Sequence, residues 1–149
     1  FNLGTGSLNK EHNLNNKETI FVDTIQGDQI TKEFSKVDFI KIDVEGHEIN
    51  VLEGFRETLK KYSPTIAIEM SNNSLKIIRK KLDLKLFIYK KYWIFEIITN
   101  RDKLILLNKP NYILREFKFE KDILKSEINL LLFPKIFTLN KLKFLNYEK

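Results

Sequence analysis

Cysteine is absent from this chain of 149 residues, so disulfide bonds and thiolate metal sites are excluded. The only two histidines, His12 and His47, lie far apart in the sequence, and we expect no histidine-built zinc site and no bound metal. No run of 18 or more apolar residues is present, which argues against a transmembrane helix. The amino terminus has no basic segment followed by an apolar one, so no signal peptide is visible and we expect a cytoplasmic protein.

Methionine is nearly absent as well. The chain begins with Phe1, and its single methionine is Met70. Because translation normally begins with methionine, the sequence suggests that this chain is the remainder of a longer one. No glycine-rich loop that could cradle phosphate groups is found, which makes a nucleotide-binding scaffold the least favoured interpretation.

Charge is present in quantity but is unevenly distributed. The formal net charge is +6, yet residues 1–70 hold 8 basic and 12 acidic side chains, whereas residues 71–149 hold 18 and 8. A basic half of this kind can attract nucleic acid, anionic lipid or a phosphorylated substrate. The plainer interpretation is a lysine-rich, solvated surface, because aromatic and basic residues are not interleaved as in single-strand binders. We therefore expect no nucleic-acid partner.

Residues 37–70 carry the clearest structural pattern. The run Val37–Val44 is dense in isoleucine, valine and phenylalanine and predicts a buried strand. After Gly46, apolar residues recur at three- and four-residue steps, which predicts a helix that ends before Pro64. Thr65–Glu69 predicts a second strand. Together these elements predict one strand–helix–strand unit of a parallel sheet.

The following residues give weaker signals. Ser71–Asn73 can cap a helix that runs to Leu82. Phe87–Tyr89 and Trp93–Ile98 are predicted to be strands, and the second of them is expected to form an antiparallel hairpin with Leu104–Leu107.

The run VDFIKIDVEGHEINVLEGF, followed after the helix by PTIAIEM, strongly resembles the signature of FkbM-type methyltransferases. Members of that family show an Asp-x-x-Lys-x-Asp-x-Glu-Gly core, then a Glu, then Val-Leu-x-Gly. The matching positions here are Asp38, Lys41, Asp43, Glu45, Gly46, Glu48, Val51, Leu52 and Gly54. Thr19–Asp23 and Gly4–Leu8 resemble elements that precede this core. The chain departs from the pattern at His47, where the family usually has a small residue.

The resemblance implies an S-adenosylmethionine-dependent enzyme with a seven-stranded, Rossmann-like α/β sheet. This chain would hold the C-terminal part of that sheet, with parallel strands and a terminal antiparallel hairpin. The glycine-rich turn and the acidic strand end that hold the cofactor in the first half of the sheet are not found, so the first half is expected to be missing. On this interpretation residues 1–110 are the C-terminal part of a class I methyltransferase domain. Residues 111–149 are a basic C-terminal extension without assigned structure.

Asp43 and Glu45 are the candidate catalytic residues. Both lie at the carboxyl end of a predicted strand, where ligands bind in open α/β sheets. The resemblance matches them to an acidic pair that lines the methyl-transfer crevice, with Asp43 also expected to contact the cofactor. A carboxylate there can stabilise the sulfonium charge or orient and deprotonate a hydroxyl acceptor. The alternative is that one of the two caps the next helix.

Glu69 and His47 are candidates for facing the substrate. Glu69 ends the neighbouring predicted strand, and a structural position suits it equally well. His47 has a side chain suited to general-base work, but the favoured alternative is a surface helix residue, because the family does not require it. Lys41 is expected to form an ion pair rather than to act in catalysis. Glu48 is either an acid of the first helical turn or a functional group.

The resemblance implies methyl transfer to an oxygen of a sugar or another small metabolite. The expected partner is therefore a small-molecule methyl acceptor such as a saccharide. The alternative is a catalytically inactive remnant of a truncated methyltransferase that binds polyanions through its basic half.

Overall fold

The computed structural model describes residues 22–100, 111–120, 127–137 and 147–148. Within these ranges the chain forms five helices and six strands. In chain order they are α1 (Gly27–Thr31), β1 (Phe39–Ile42), α2 (Glu48–Gly54), α3 (Arg56–Tyr62), β2 (Thr65–Met70), α4 (Asn72–Lys80), α5 (Leu82–Lys91), β3 (Tyr92–Asn100), β4 (Asn111–Glu116), β5 (Ile128–Pro134) and β6 (Tyr147–Glu148).

The strands form one sheet in the order β1-β2-β5-β3-β4-β6. β1 and β2 are parallel, and α2 and α3 connect them. β5 runs antiparallel to both of its neighbours, β2 and β3, and β3 runs antiparallel to β4. The predicted mixed α/β architecture is confirmed, and the sheet is consistent with a Rossmann-like fold. Among the described strands, β1 lies at the edge.

The main core lies between the helices and one face of the sheet. In β2, Ile66, Ile68 and Met70 are buried and alternate with half-buried residues, because successive side chains of a strand point to opposite faces. They pack with buried side chains from all of α2, α3, α4 and α5, such as Leu52 and Ile78. This layer of helices therefore covers the face of the sheet that carries Ile66.

The opposite face of the sheet carries a second, smaller apolar cluster. Phe95 of β3 and Leu114 of β4 are buried at its centre, and Trp93 and Phe133 pack against them. Towards β1 the same face becomes polar, because it carries Lys41.

The prediction of a strand at Phe87–Tyr89 is wrong, because these residues lie in α5. Short apolar runs fit a strand and a buried helix equally well when only their composition is considered. Here Leu84 and Ile88, four residues apart, are both fully buried, whereas Leu86 between them is 55% exposed. That spacing is helical, since a strand would place all three side chains on one face.

β5 comes from the segment to which the sequence assigned no structure. It lies between β2 and β3, so the sheet runs across the boundary that we placed between residues 110 and 111. β3 does form an antiparallel pair, but in the described residues its partners are β4 and β5. The proposed second arm of the hairpin, Leu104–Leu107, lies outside the described residues.

The single helix predicted after Gly46 is in fact two short helices, α2 and α3, which meet at Phe55. The carboxylate of Asp28, in α1, accepts hydrogen bonds from the backbone amides of Glu57 and Thr58 at 2.9 and 2.8 Å. It thereby satisfies two amides of the first turn of α3 that have no partner within the helix. A residue distant in sequence thus defines where α3 begins, which local periodicity does not reveal.

Candidate active site

The turn after β1 has an unusual backbone. Asp43 directly follows the strand and is exposed, and Glu45 and Gly46 both have positive φ angles, of 46° and 97°. The left-handed region is disfavoured for residues with a Cβ atom and is readily populated by glycine. Gly46 is therefore required by the turn, and Glu45 is held in a conformation that its own preferences would not select.

A buried carboxylate, that of Glu48, holds this turn in place. Glu48 is only 1% exposed. Its Oε1 accepts a hydrogen bond from the amide of Gly46 at 2.7 Å, and its Oε2 accepts from the hydroxyls of Ser71, at 3.1 Å, and Ser74. The Ser74 hydroxyl also lies 3.3 Å from the carbonyl of Gly46. Glu48 thus connects the turn after β1 to the start of α4, the helix that follows β2.

The Ser71 hydroxyl makes two hydrogen bonds in this connection. Ser71 is the N-cap of α4, where its hydroxyl oxygen accepts a hydrogen bond from the Ser74 amide at 3.1 Å, as the sequence predicted for this region. The same hydroxyl donates its hydrogen to Glu48. The ends of β1 and β2 are therefore held together by side chains as well as by the sheet, and the turn between Asp43 and Gly46 has a rigid support.

Asp43, directly after β1, and Glu69, within β2, lie at the same level of two adjacent strands. Ile42 and Ile68 are register partners, and the two acidic residues directly follow them. Asp43 lies 3.1 Å from Lys41 in an ion pair, with both side chains about half exposed. Glu69 is half-buried, and its register partner across β2 and β5 is Asn129. An exposed ion pair of this kind adds little stability, so Asp43 is free to exchange partners.

His47 faces a different part of the molecule from Glu69. It lines a cleft of about 590 Å³ between α1 and α2, which we call the α1–α2 cleft. Its walls include Gln26, Ile30, Asn50, Val51 and Phe55, but neither Asp43 nor Glu69. The Nε2 atom of His47 is buried and has no hydrogen-bond partner among the described residues. The sequence grouped His47 and Glu69 as substrate-facing residues, and the structure places them in separate surroundings.

Sequence reasoning did not identify several of these residues. Ser74 and Asn129 carry no motif of their own, and Asn129 lies in a segment without a clear pattern. The role of Glu48 was left open, and the structure assigns it to internal support of the turn. The one sequence signal for this hydrogen-bond network was the position of Ser74, three residues after the capping residue Ser71.

The described residues contain no group of three or more His, Asp or Glu side chains that could hold a metal ion. In the same ranges, none of the helices combines the length and the apolar character needed to cross a bilayer.

Comparison with known protein families matches residues 2–89 to the Methyltransferase FkbM domain. The chain belongs to the FkbM methyltransferase family. Neither the curated proteins nor the solved structures contain a match to it. The family match covers the elements from α1 to α4, most of α5 and the turn after β1. Asp43, Glu45, Glu48 and Glu69 therefore lie within the matched residues, whereas Asn129 lies outside them.

Two signature positions of this FkbM domain have a structural explanation here. Gly46 permits the left-handed turn that points Glu45 into solvent, and Glu48 holds that turn from inside. The signature therefore contains two kinds of acidic residue. Asp43 and Glu45 are exposed at the strand end, whereas Glu48 is a buried structural acid.

Proposed function

We propose that this chain contributes to S-adenosylmethionine-dependent methyl transfer to an oxygen atom of a small metabolite, with Asp43 and Glu45 at the reacting edge. The observation that carries the proposal is the placement of these two exposed carboxylates at the carboxyl end of β1, on a turn that Glu48 holds from inside. Ligands of open α/β sheets bind at this edge.

The residues of the turn fit one region of the proposed cofactor. S-adenosylmethionine, when bound, supplies a methyl group that its sulfonium charge activates for transfer. Glu45 makes no ion pair or hydrogen bond among the described residues, and Asp43 makes only the solvent-exposed pair with Lys41. Carboxylates that are not committed to internal partners suit a cationic sulfur or the hydroxyls of a ribose.

Each carboxylate has a distinct proposed task. Asp43 would contact the cofactor, because it lies directly at the strand end and level with Glu69 of the next strand. Glu45 would accept the proton that a hydroxyl acceptor loses on methylation, because it is exposed on a left-handed backbone and pairs with none of the described residues. Glu69 and Asn129 would orient the acceptor from the polar face of the sheet. Most of the rate enhancement would come from positioning and from fixed charge.

The test begins with titration calorimetry of S-adenosylmethionine into the full chain. Formation of S-adenosylhomocysteine is then measured with a panel of neutral saccharides and other hydroxylated metabolites. We expect Asp43→Asn, which removes the charge but keeps the shape, to lower turnover by about tenfold or more. Turnover equal to that of the wild type would remove Asp43 from the reacting edge.

A matched control is available at the other end of the same strand. Asp38 precedes β1, is exposed and pairs with Lys36 at 2.9 Å. Asp38→Asn therefore removes an equivalent charge and surface ion pair without touching the turn. We expect it to retain wild-type turnover. If the wild-type chain binds no S-adenosylmethionine and forms no S-adenosylhomocysteine, the proposed function fails for this chain as a whole.

A further inference from the structure

Helix α5 carries apolar side chains on both of its sides. Leu84 and Ile88 are fully buried in the main core, whereas Leu82 and Leu86 are 59% and 55% exposed. The members of each pair are one turn apart, and at about 100° per residue the two pairs lie on opposite sides of the helix. The outer side of a surface helix is normally polar. A single exposed leucine is common, but two that are stacked on the outer side form an apolar stripe that nothing in the fold explains.

Helix α4 lies beside α5 and carries cations on its outer side. Leu75 and Ile78 of α4 are buried in the same core as Leu84, so both helices cover the same face of the sheet. Lys76 and Lys80, which are one turn apart, are exposed on the side of α4 away from that core. The outer stripes of the two helices therefore point to the same side of the molecule.

The two stripes together form a surface that is both basic and apolar. Lys90 is exposed one turn after Leu86 and continues the stripe of α5. We call these five residues, Lys76, Lys80, Leu82, Leu86 and Lys90, the α4–α5 surface. Along the chain its two leucines lie between lysines, so the apolar stripe has positive charge at both ends.

The lysines of the α4–α5 surface are not neutralised by their neighbours. Residues 72–91 contain seven basic side chains and one acidic side chain. None of the three surface lysines forms an ion pair or a hydrogen bond among the described residues. Three acids at these helices already have cationic partners: Glu53 pairs with Lys81, Glu120 with Lys85 and Asp83 with Arg56. The surface therefore presents uncompensated positive charge to a partner.

We propose that the α4–α5 surface binds an anionic lipid bilayer, with its leucines at the boundary of the acyl chains and its lysines among the headgroups. A bilayer offers negative charge directly above an apolar layer, which is the combination that this surface matches. A nucleic acid would pair with the lysines but would leave the leucines in water. An acidic protein would need carboxylates and an apolar patch in matched positions, whereas a bilayer presents both over its whole plane. The inference goes beyond methyl transfer and does not depend on it.

The first experiment is flotation of the full chain with vesicles of phosphatidylcholine and phosphatidylglycerol in equal parts. Vesicles of pure phosphatidylcholine are the comparison. We expect binding to the mixed vesicles that weakens as salt is added, and far weaker binding to the neutral ones, because the lysines supply the attraction. Equal binding to the two kinds of vesicle, or no binding to the mixed ones, would overturn the proposal.

Lysine variants test whether the attraction comes from this surface. Lys76→Gln combined with Lys80→Gln should weaken binding to the mixed vesicles roughly 25-fold, at about fivefold for each lysine. Lys32→Gln combined with Lys36→Gln lowers the net charge equally at exposed positions outside both helices, and it should weaken binding less than about threefold. Equal losses in the two double variants would show that only the overall charge matters, and the proposed surface would be refuted.

Leucine variants distinguish a bilayer from other polyanions. Leu82→Ala combined with Leu86→Ala should weaken binding to the mixed vesicles by about tenfold or more, because less apolar surface enters the lipid. The same variant should bind heparin as the wild type does, since its lysines are unchanged. Unchanged vesicle binding, or an equal loss of heparin binding, would assign the surface to polyanions in general and refute the bilayer.

The absence of cysteine allows a fluorescent label to be placed at one chosen position. Leu86→Cys, labelled with a nitrobenzoxadiazole dye, should show brighter and blue-shifted emission when the mixed vesicles are added, because the dye enters an apolar layer. Lys36→Cys, exposed in the connection before β1, is the matched control and should show no such change. An unchanged spectrum of the Leu86→Cys label, or an equal shift in the control, would contradict insertion of the leucine stripe.

Discussion

Truncation of Glu48 tests whether the candidate active site depends on an internal support. Glu48→Ala removes the acceptor of three hydrogen bonds, which come from the Gly46 amide and from the hydroxyls of Ser71 and Ser74. The two serines that carry these donors are buried, and the Gly46 amide is partly buried. A buried donor without a partner is more costly than the net value of the hydrogen bond it has lost, because its desolvation is no longer compensated.

The size of the effect depends on how many donors find another acceptor. The Ser74 hydroxyl can turn fully to the carbonyl of Gly46, which lies 3.3 Å away, so it is not left without a partner. The Gly46 amide and the Ser71 hydroxyl have no such alternative among the contacts of the turn. At about 1.5 to 3 kcal/mol for each hydrogen bond to a charged group, two lost bonds correspond to a loss of about 3 to 6 kcal/mol. That is a large part of the 5 to 15 kcal/mol typical of a small domain.

Urea denaturation followed by far-ultraviolet circular dichroism measures this loss. Glu48→Gln should cost far less than Glu48→Ala, because the amide oxygen still accepts from Gly46 and the two serine hydroxyls can rotate to accept from the amide nitrogen. Glu57→Ala is the control, since its side chain is exposed and pairs only with Lys60 on the surface. The control should change the free energy of unfolding by less than about 0.5 kcal/mol. A Glu48→Ala variant within about 1 kcal/mol of the wild type would refute the argument.

Two further predictions concern stability. Burial raises the pKa of Asp28, but hydrogen bonds from Thr58 and from the amides of Glu57 and Thr58 outweigh it, so the pKa of this carboxyl lies below its usual value. The ionised Asp28 carboxylate therefore contributes its full stabilisation above the unfolded pKa of about 3.9, and this stabilisation is lost as the pH falls through the folded pKa. Asp28→Asn should make the free energy of unfolding depend less on acid pH, which denaturation curves taken at several pH values would measure. In α5, Leu84→Ala should lower the free energy of unfolding by about 2 to 4 kcal/mol, whereas Leu86→Ala should change it by less than about 0.5 kcal/mol. Equal effects of the two leucine variants would indicate a strand rather than a helix.

Local patterns predicted the part of the fold in which neighbours in sequence are neighbours in space. β1, β2 and the helical connection between them follow from an apolar run, a three- and four-residue periodicity and a second apolar run. Ser71–Asn73 were predicted to cap a helix from residue type and position alone, and Ser71 is the residue that does so. These signals are readable because the physical cause of each lies within a few residues of its effect.

The errors arose where distant residues decide the structure. The break between α2 and α3 depends on Asp28, which caps α3 from almost 30 residues earlier in the chain. β5 is a central strand because β2 and β3 flank it, and its own sequence does not distinguish it from a tail. The strand predicted at Phe87–Tyr89 failed because a short apolar run does not indicate which residues will be buried. The exposure of Leu86 is what distinguishes a helix from a strand in this segment.

In the candidate site, too, the motif identifies which residues lie together but does not show the environment of each one. Spacing placed Asp43, Glu45 and Glu48 together in one signature, but only the structure separates their environments. Glu45 follows the strand on a left-handed backbone and is exposed, whereas Glu48 is buried and bonds to the Gly46 amide from inside. The Glu48 carboxylate holds the amide of Gly46, the residue next to the left-handed Glu45. Loss of Glu48 should therefore release the backbone that positions the Glu45 carboxylate, in addition to lowering stability.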